Sequence, residues 1–388
     1  MEAFQEHLVN QYVLHKQHLL KGSEAEDVLQ VVNDIIALHA TSAATPYISL
    51  FARMKNFHRR HLDEVFYQKR NLVRLEAMRG TLFITSTKLA PILYQATKVP
   101  EPKLFDLVQK WEITQVEYRN LASKLLKILE TSGKTLQEIK RMLPKELVRS
   151  VERRVGKATY KGTNINVVLN ALVRRGIVFS EKAWETTRTT ELNHYMLFQK
   201  IYTNVNLASV KSEEARTMLV KHYVKVFGPL TLEDISWWTS FSGTQVKEAL
   251  ATIEKKLLHV RISNLKGEYM MFKTDYEQMT KFKPSKTRSL SLLPYEDPYT
   301  KGYKIRERII DKEVEKSAYV GGSVQPTILL NGKIIGTWNQ TIERGKGPIK
   351  LRFFQRPRKD VEKETIQKAR AIGKLMANKE VDVQIERD

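Results

Sequence analysis

The sequence predicts an α+β protein of three tandem winged helix-turn-helix units followed by a small C-terminal β-domain. The first hundred residues show helical spacing and then a strand pair, the pattern T-L-[QE]-[ED]-I occurs twice further on, and the chain changes to short strands and turns after residue 285. The predicted domains are 1–100, 101–208, 209–283 and 284–388.

The first unit follows the winged-helix plan of helices and a hairpin. Apolar spacing predicts helices over 3–20, 28–38, 46–54 and 62–67, and strands over Leu72–Met78 and Thr81–Thr85. Gly22 ends the first helix, and Ser23 with Glu26 forms a capping box before the second. Pro46 suits the start of the third helix because its missing N–H costs nothing there.

The middle of the chain repeats this plan. Thr135 and Thr231 each stand before acidic residues at the start of a helix, where a threonine can cap and acidic side chains suit the helix dipole. The following helices and strands are predicted at Val167–Arg174 with 176–179, and at Val246–Lys255 with Leu257–Arg261 and Tyr269–Lys273.

The C-terminal part is predicted to be a β-barrel or a sandwich, and a barrel is the preferred form. Strands are expected at Ser289–Leu293, Thr327–Leu330, Lys333–Trp338 and Ile349–Phe354, with a closing helix near Thr365–Met376. Asn331-Gly332 between two of them is typical of a type I′ hairpin turn. Lys281–Lys286 is the predicted linker before this domain.

Charge and composition narrow the class of partner. The chain of 388 residues has a net charge of +22 at neutral pH, which favours a polyanion such as nucleic acid, although a general role in solubility is the simpler alternative. Basic clusters occur at His58–His61, Arg149–Lys157, Lys281–Arg288 and Arg352–Lys359, and this spread suits a long basic face.

Several classes of site and location are excluded or disfavoured. Without cysteine there is no disulfide, thiolate zinc site or cysteine nucleophile. No apolar run is long enough for a transmembrane helix, and the N-terminus is too polar for a secretory signal, so a cytoplasmic protein without a membrane partner is expected. The pairs His15/His18 and His58/His61 have metal-binding spacing but lack nearby carboxylate or thiol partners, so no metal is expected.

Four segments, in order along the chain, resemble the signature of one bacterial family. They are Arg74–Leu82 (RLEAMRGTL), Phe227–Trp238 (FGPLT…D…WW), Leu292–Arg308 (LLPYEDPY…GY…R…R) and Pro326–Trp338 (PTILLNGKIIGTW). Together they resemble the winged-helix DNA glycosylases of the AlkZ and YcaQ type. This resemblance implies three winged helices and a barrel in a C shape around DNA. It also implies excision of bulky N7-alkylated purines, including unhooking of interstrand crosslinks.

The resemblance also implies a site, with a departure from the family pattern. In the family, a glutamine, a small or apolar residue and a second glutamine or acidic residue follow the second helix and hold the hydrolytic water. The matching stretch here is His39-Ala40-Thr41, and Phe83 replaces a family histidine. His39 can accept a proton from water and Thr41 can orient that water, if the helix has ended and the segment is extended or turned. The alternative is that His39 caps a helix and Thr41 belongs to a turn.

Other candidates have supporting functions. Asp297 lies in a segment flanked by prolines and either stabilises positive charge on the sugar or base, or pins the turn structurally, which is the preferred interpretation. The residues predicted to contact phosphates or to brace the site are Arg53, Arg79, Arg59, Arg60 and Lys247.

The expected partner is double-stranded DNA, preferentially alkylated, bound by a monomer without a cofactor. The alternative function is a non-catalytic DNA-binding protein, either a regulator or a damage sensor, in which His-Ala-Thr has replaced a working site.

Overall fold

The computed structural model describes residues 3–156, 158–182, 193–340 and 347–386. The first unit combines five helices with a three-stranded antiparallel sheet of order β2-β4-β3. Its elements are β1 (Ala3–Phe4), α1 (Glu6–Lys16), α2 (Val28–Asp34), β2 (Leu38–His39), α3 (Ala44–Phe51), α4 (Arg59–Asp63) with a π-helical turn (Glu64–Gln68), β3 (Leu72–Glu76), β4 (Leu82–Ser86) and α5 (Ala90–Thr97). The second helix is shorter than predicted, because the buried Leu38 belongs to a strand and not to the helical stripe.

The second unit also consists of helices and a small sheet, of order β5-β9-β8. Its elements are α6 (Glu101–Gln109), α7 (Gln115–Leu129), β5 (Lys134–Thr135), α8 (Leu136–Met142), β6 (Ser150–Val155), β7 (Ala158–Thr163), α9 (Asn164–Arg174), β8 (Val178–Lys182), β9 (Asn193–Leu197) and α10 (Phe198–Ile201). Thr135 caps α8 in a reciprocal capping box with Glu138, which confirms the predicted cap. The hairpin β6–β7 between α8 and α9 was not predicted.

The third unit contains α11 (Ser212–Phe227), α12 (Leu232–Thr239), α13 (Gly243–Ala251), β10 (Leu257–Ile262), β11 (Tyr269–Phe272) and α14 (Lys273–Lys281). Thr231 and Asp234 form the second predicted cap. Strand β1, from the start of the chain, pairs in parallel with β10 and so adds a third strand to this unit's sheet. The first described residues therefore form part of the sheet of the third unit.

The C-terminal part contains β12 (Leu290–Leu293), α15 (Pro298–Lys301), α16 (Glu315–Ala318), β13 (Tyr319–Val320), β14 (Ser323–Val324), β15 (Thr327–Leu330), β16 (Lys333–Gln340), β17 (Ile349–Phe353), α17 (Lys359–Ala377) and β18 (Val383–Ile385). Both Asn331 and Gly332 have positive φ, as a type I′ turn requires, and they join β15 to β16.

The expected closed barrel is not found in the described part of the chain. The five strands form one sheet of order β12-β15-β16-β17-β18, with β12 and β18 at opposite edges. Helix α17 packs on this sheet, and the chain then returns to add β18 in parallel to β17. Closure would require β12 to pair with β18, and the sheet is instead covered by the long helix.

The hydrophobic cores show how the parts are joined. One continuous core runs through the first and third units and includes Val32, Phe66, Tyr223 and Phe227. Much of the second unit has a core of its own, around α7 and α9. Ile48 of α3 belongs to the core between the C-terminal sheet and α17. Helix α3 therefore connects the first unit to the C-terminal part, beside the predicted site.

Candidate active site

In the predicted catalytic pair, His39 lies on a short strand after a helix, and Thr41 follows at a bend. Helix α2 ends at Asp34, and β2 pairs with β4 so that His39 stands opposite Phe83. His39 therefore does not cap the helix. The backbone N–H of Ala40 continues the pairing by donating to the carbonyl of Leu82 at 2.7 Å. The helix has thus ended before His39, and the segment is extended and then turned, as the pair was predicted to require.

His39 and Thr41 touch each other but differ in exposure. Thr41 Oγ1 lies 3.2 Å from His39 Nε2. His39 is only 2% exposed, whereas Thr41 is exposed. The imidazole packs edge-on against the rings of Phe83 and Tyr295. Thr41 is thus the member of the pair that solvent reaches directly, and His39 stands behind it.

The surroundings of His39 keep its ring neutral. Burial, followed by the positive charge of Lys301, lowers the pKa of His39 to about 4, and the opposing effect of Asp297 is smaller. At neutral pH the imidazole therefore has one N–H donor and one acceptor nitrogen. A neutral ring can accept a hydrogen bond from water or from a hydroxyl group.

A cleft between the first and second units opens beside Thr41. It has a volume of about 540 Å³, and its lining includes the apolar Leu104, Val108 and Trp111 as well as Arg74 and Arg174. The lining therefore combines apolar and cationic side chains. Such a combination suits an aromatic ring with an anionic backbone attached to it.

Arg74 holds the backbone of the segment that carries His39 and Thr41. Its Nε donates to the carbonyl of Ala40 at 3.2 Å, and one terminal nitrogen donates to the carbonyl of Ser180 at 3.1 Å. Burial lowers the pKa of Arg74 to about 10, so its guanidinium stays charged at neutral pH. Arg74 begins the RLEAMRGTL segment but is not among the residues predicted for the site.

Asp297 is fully engaged in a buried network. Its two oxygens accept from the two terminal nitrogens of Arg53 at 2.8 and 2.7 Å, and Ser49 Oγ donates to Oδ2 at 2.7 Å. The backbone N–H of Tyr299 donates to Oδ1 at 3.0 Å, so Asp297 also caps α15. Both members of the ion pair are 0% exposed. This geometry matches the structural interpretation of Asp297 and the bracing interpretation of Arg53.

The other predicted cations occupy different surroundings. Arg79 lies at the tip of the β3–β4 turn, donates to the carbonyl of Trp237 at 2.9 Å and stacks 4.5 Å from the centre of that indole ring. Arg59 lies over the ring of Tyr47. Arg60 and Lys247 are exposed on α4 and α13. Of these four, Arg79 is the residue that borders His39, because both line the same small cavity.

The sequence analysis missed two residues near His39. Glu296 and Lys301 line that cavity and form a buried ion pair with 2.8 Å between Lys301 Nζ and Glu296 Oε2. Glu296 stands beside Asp297 in the quoted LLPYEDPY segment, so the motif itself was the available signal. What the motif could not give is that β2, far away in the chain, brings His39 to the same place.

The described part of the chain contains neither a metal-binding cluster nor a membrane-spanning helix. Three or more histidine, aspartate or glutamate side chains do not come together there as a metal site. Of the histidines with metal-like spacing, His18 instead bonds Asp34 at 2.8 Å, and His58 packs against His61. None of the helices described is long and apolar enough to cross a membrane.

Comparisons with known proteins agree on one relationship. Residues 32–386 match the model of a family described as DNA glycosylase AlkZ-like. Among solved structures, the Streptomyces sahachiroi DNA glycosylase AlkZ is similar, with a TM-score of 0.72 and 16% sequence identity over 99% of this chain and 100% of that chain. No curated protein matches the sequence.

Proposed function

The chain belongs to the AlkZ-like DNA glycosylase family, and on this basis we propose that it excises N7-alkylated purines, including bulky ones, from double-stranded DNA. The observation that carries the proposal is the His39–Thr41 pair at the mouth of a cleft, where the family is expected to hold its hydrolytic water. Crosslinks joined through N7 are a second expected substrate.

Cleavage of the glycosidic bond needs little catalytic assistance, because an N7-alkylated purine already carries positive charge and leaves readily. Cleavage passes through an oxocarbenium-like sugar, which a placed water then attacks at the glycosidic carbon. We infer that Thr41 holds this water in the cleft and that His39 receives the proton through the Thr41 hydroxyl. Once the water has bonded to the sugar it becomes a strong acid, so even an imidazole with a pKa of about 4 is basic enough.

We propose that DNA is held mainly through its backbone, by a monomer. The net charge of +22 and the basic clusters support this mode of binding, and we propose that three winged-helix units form a C-shaped clamp around the duplex. Selectivity would then come from the damaged base, which costs less to expose than an intact one.

The second candidate function is a DNA-binding protein without catalysis. The observation that favours it is the substitution at both catalytic positions, with histidine buried behind threonine where the family has a glutamine and a second glutamine or acidic residue. Lesion recognition without release of a free base would identify this function.

A base-excision assay tests the proposal. Duplex DNA with one N7-alkylguanine is incubated with wild type, Thr41→Ala and His39→Ala, and alkali then cuts the abasic sites. We expect cleavage by wild type, a loss of about tenfold or more in each variant, and unchanged DNA binding. Glu26→Gln is the control and should keep the rate of excision, because this exposed side chain lines neither the cleft nor the cavity beside His39.

The choice of lesion separates the two functions. If N7-methylguanine is not released, a bulkier N7 adduct and an N7-linked crosslink are tried in the same duplex. Binding to all three without release of any base would reject the glycosylase in favour of the damage sensor.

A further inference from the structure

A small cavity lies beside His39. It has a volume of about 30 Å³, which is enough for ordered water. Its polar lining comes from His39, Arg79, Thr81, Glu296 and Lys301. A buried space of this size with several polar neighbours normally holds ordered water.

His39 has a buried nitrogen directed away from Thr41. Nε2 lies against the Thr41 hydroxyl, while Nδ1 is buried and has no hydrogen-bond partner among the residues described. Leaving such a group unpaired costs about 1–3 kcal/mol, so buried polar atoms are nearly always satisfied by protein or by water. The adjoining cavity is the place from which water can reach this side of the ring.

Glu296 is held at the cavity by an uncommon backbone conformation. Its φ is +57°, a left-handed value that few residues other than glycine, asparagine and aspartate adopt. Such strain persists where the surroundings fix it. Here two hydrogen bonds to Val324 do so: the backbone N–H of Glu296 donates to the Val324 carbonyl, and the Val324 N–H donates to Oε1 of the Glu296 carboxylate.

The Glu296 carboxylate retains acceptor capacity. Oε1 accepts from the Val324 N–H at 2.7 Å and from Lys301 Nζ at 2.9 Å, whereas Oε2 accepts from Lys301 Nζ alone, at 2.8 Å. A carboxylate oxygen has two lone pairs, so Oε2 can accept one more proton donor. Lys301 is itself anchored by a bond to the Gly322 carbonyl at 2.7 Å.

We propose that Glu296, fixed by Lys301, is a positioning residue for His39 and acts on it through ordered water in this cavity. His39 Nδ1–H donates to the water, and the water donates to Glu296 Oε2. The proton on Nδ1 leaves the lone pair on Nε2, where it accepts from the Thr41 hydroxyl. This proposal rests on the function proposed above for His39 and Thr41.

The tautomer decides the direction of the proton path. As the bond from the sugar carbon to the purine nitrogen breaks, its electron pair goes to the purine, and the water oxygen bonds to the sugar carbon. The proton of that water passes to Thr41 Oγ1 while the Thr41 hydroxyl proton passes to His39 Nε2. The opposite tautomer, with the proton on Nε2, would block this transfer. A second group that fixes the tautomer of a catalytic histidine is a known requirement in other enzymes.

The tautomer can be measured without DNA, by nitrogen NMR of the full-length chain labelled in histidine. Loss of one signal in His39→Gln identifies His39 among the nine histidines. We expect wild type at pH 7 to show the neutral ring with its proton on Nδ1. Glu296→Gln should give comparable amounts of both tautomers, because an amide no longer demands a donor from the water.

Glu315→Gln is the matched control. It removes a carboxylate that is also paired with a cation, Arg306, but does not line the cavity, and the His39 signal should not change. A wild-type ring with its proton on Nε2 would overturn the proposal without any variant. An unchanged tautomer in a folded Glu296→Gln protein would overturn it as well.

Excision kinetics separate this inference from the proposed function. Glu296→Gln should lower kcat by about tenfold and leave KM for the lesion duplex unchanged. Excision by a wild type with the proton on Nε2 would reject the role of Glu296 and the proton path to His39, and would leave the glycosylase function standing. The expected tautomer in a protein that releases no base would reject only the glycosylase function.

Discussion

At the scale of single residues, the buried ion pair between Arg53 and Asp297 connects the first unit to the segment that carries Glu296. Neither side chain reaches water, and six hydrogen bonds connect the pair to Ser49 and Tyr299 or join its two members. Replacing one member leaves the other charged and buried, which is far more costly than losing a surface pair.

We expect Asp297→Asn to lower the free energy of unfolding by about 3–5 kcal/mol, because Arg53 keeps its charge without a counter-ion. The control is Glu26→Gln, which breaks an exposed pair with Lys55 and should cost less than about 1 kcal/mol. Urea denaturation followed by tryptophan fluorescence gives both values. Equal small losses would show that Asp297 is not the structural anchor its contacts indicate.

The buried histidine makes stability depend on pH. The pKa of His39 is about 4 in the folded chain and near its ordinary 6.5 in the unfolded one, so the unfolded state binds more protons between these values. The contribution is complete above pH 6.5 and is lost as the pH falls towards 4.

We therefore expect wild type to lose about 2–3 kcal/mol relative to His39→Gln between pH 7.5 and pH 4.5. Glutamine has a similar shape and does not titrate, and all other groups titrate alike in both proteins. Urea unfolding at the two pH values measures the difference. A constant difference would mean that His39 is not protonated more readily on unfolding.

At the scale of elements, the β15–β16 hairpin shows why its turn needs glycine. Gly332 has a φ of +90°, and a Cβ at this position would lie 2.8 Å from Asn10 Cβ on α1. Gly22 has nearly the same φ, +92°, but a Cβ there would meet nothing within 4 Å. The two positions therefore share the backbone strain and differ only in the contact.

We expect Gly332→Ala to lower the free energy of unfolding by about 1–3 kcal/mol more than Gly22→Ala. The added methyl group would force the hairpin away from α1, whereas at residue 22 it only raises the backbone energy. Thermal denaturation of the two variants compares them directly. Equal losses would show that the hairpin can shift away from α1 without cost.

Elements governed by local chemistry could be read from the sequence, and those that depend on distant partners could not. Thr135, Thr231 and Asn331-Gly332 occupy the predicted caps and turn because each acts within four residues. The two-residue strand β1 has no pattern of its own and exists only by pairing with β10. In the hairpin β6–β7, only Val151 is buried, so it lacks the apolar alternation that predicts strands.

In the candidate site and the C-terminal sheet, too, local features could be predicted and contacts between distant residues could not. The contact between His39 and Thr41 was foreseeable because only Ala40 separates them in the sequence. The cavity that His39 shares with Glu296 was not foreseeable, because more than 250 residues separate these two positions in the sequence. Barrel and open sheet share the same alternation of side chains, and only the pairing of the edge strands distinguishes them.

At the scale of the whole molecule, a net charge of +22 is the property that most directly governs encounters with DNA. Not all of this charge is available to phosphates. In the basic cluster at 149–157, Arg149 is engaged by Glu117 at 2.7 and 2.9 Å, whereas Arg154 is exposed on the β6–β7 hairpin. Neighbouring arginines in one cluster thus differ in what they can offer to a duplex.

Binding to duplex DNA should therefore weaken steeply with salt, by about a thousandfold or more between 50 and 200 mM, as for proteins with six or more phosphate contacts. Arg154→Ala should lower the slope of log K against log salt by about one, since it removes one such contact. Arg149→Ala should leave the slope unchanged, because that side chain already has its anionic partner within the chain. Fluorescence anisotropy titrations over a salt series measure all three slopes. A shallow wild-type slope, or equal slopes for the two variants, would show that the duplex is not held through the basic face of the hairpin.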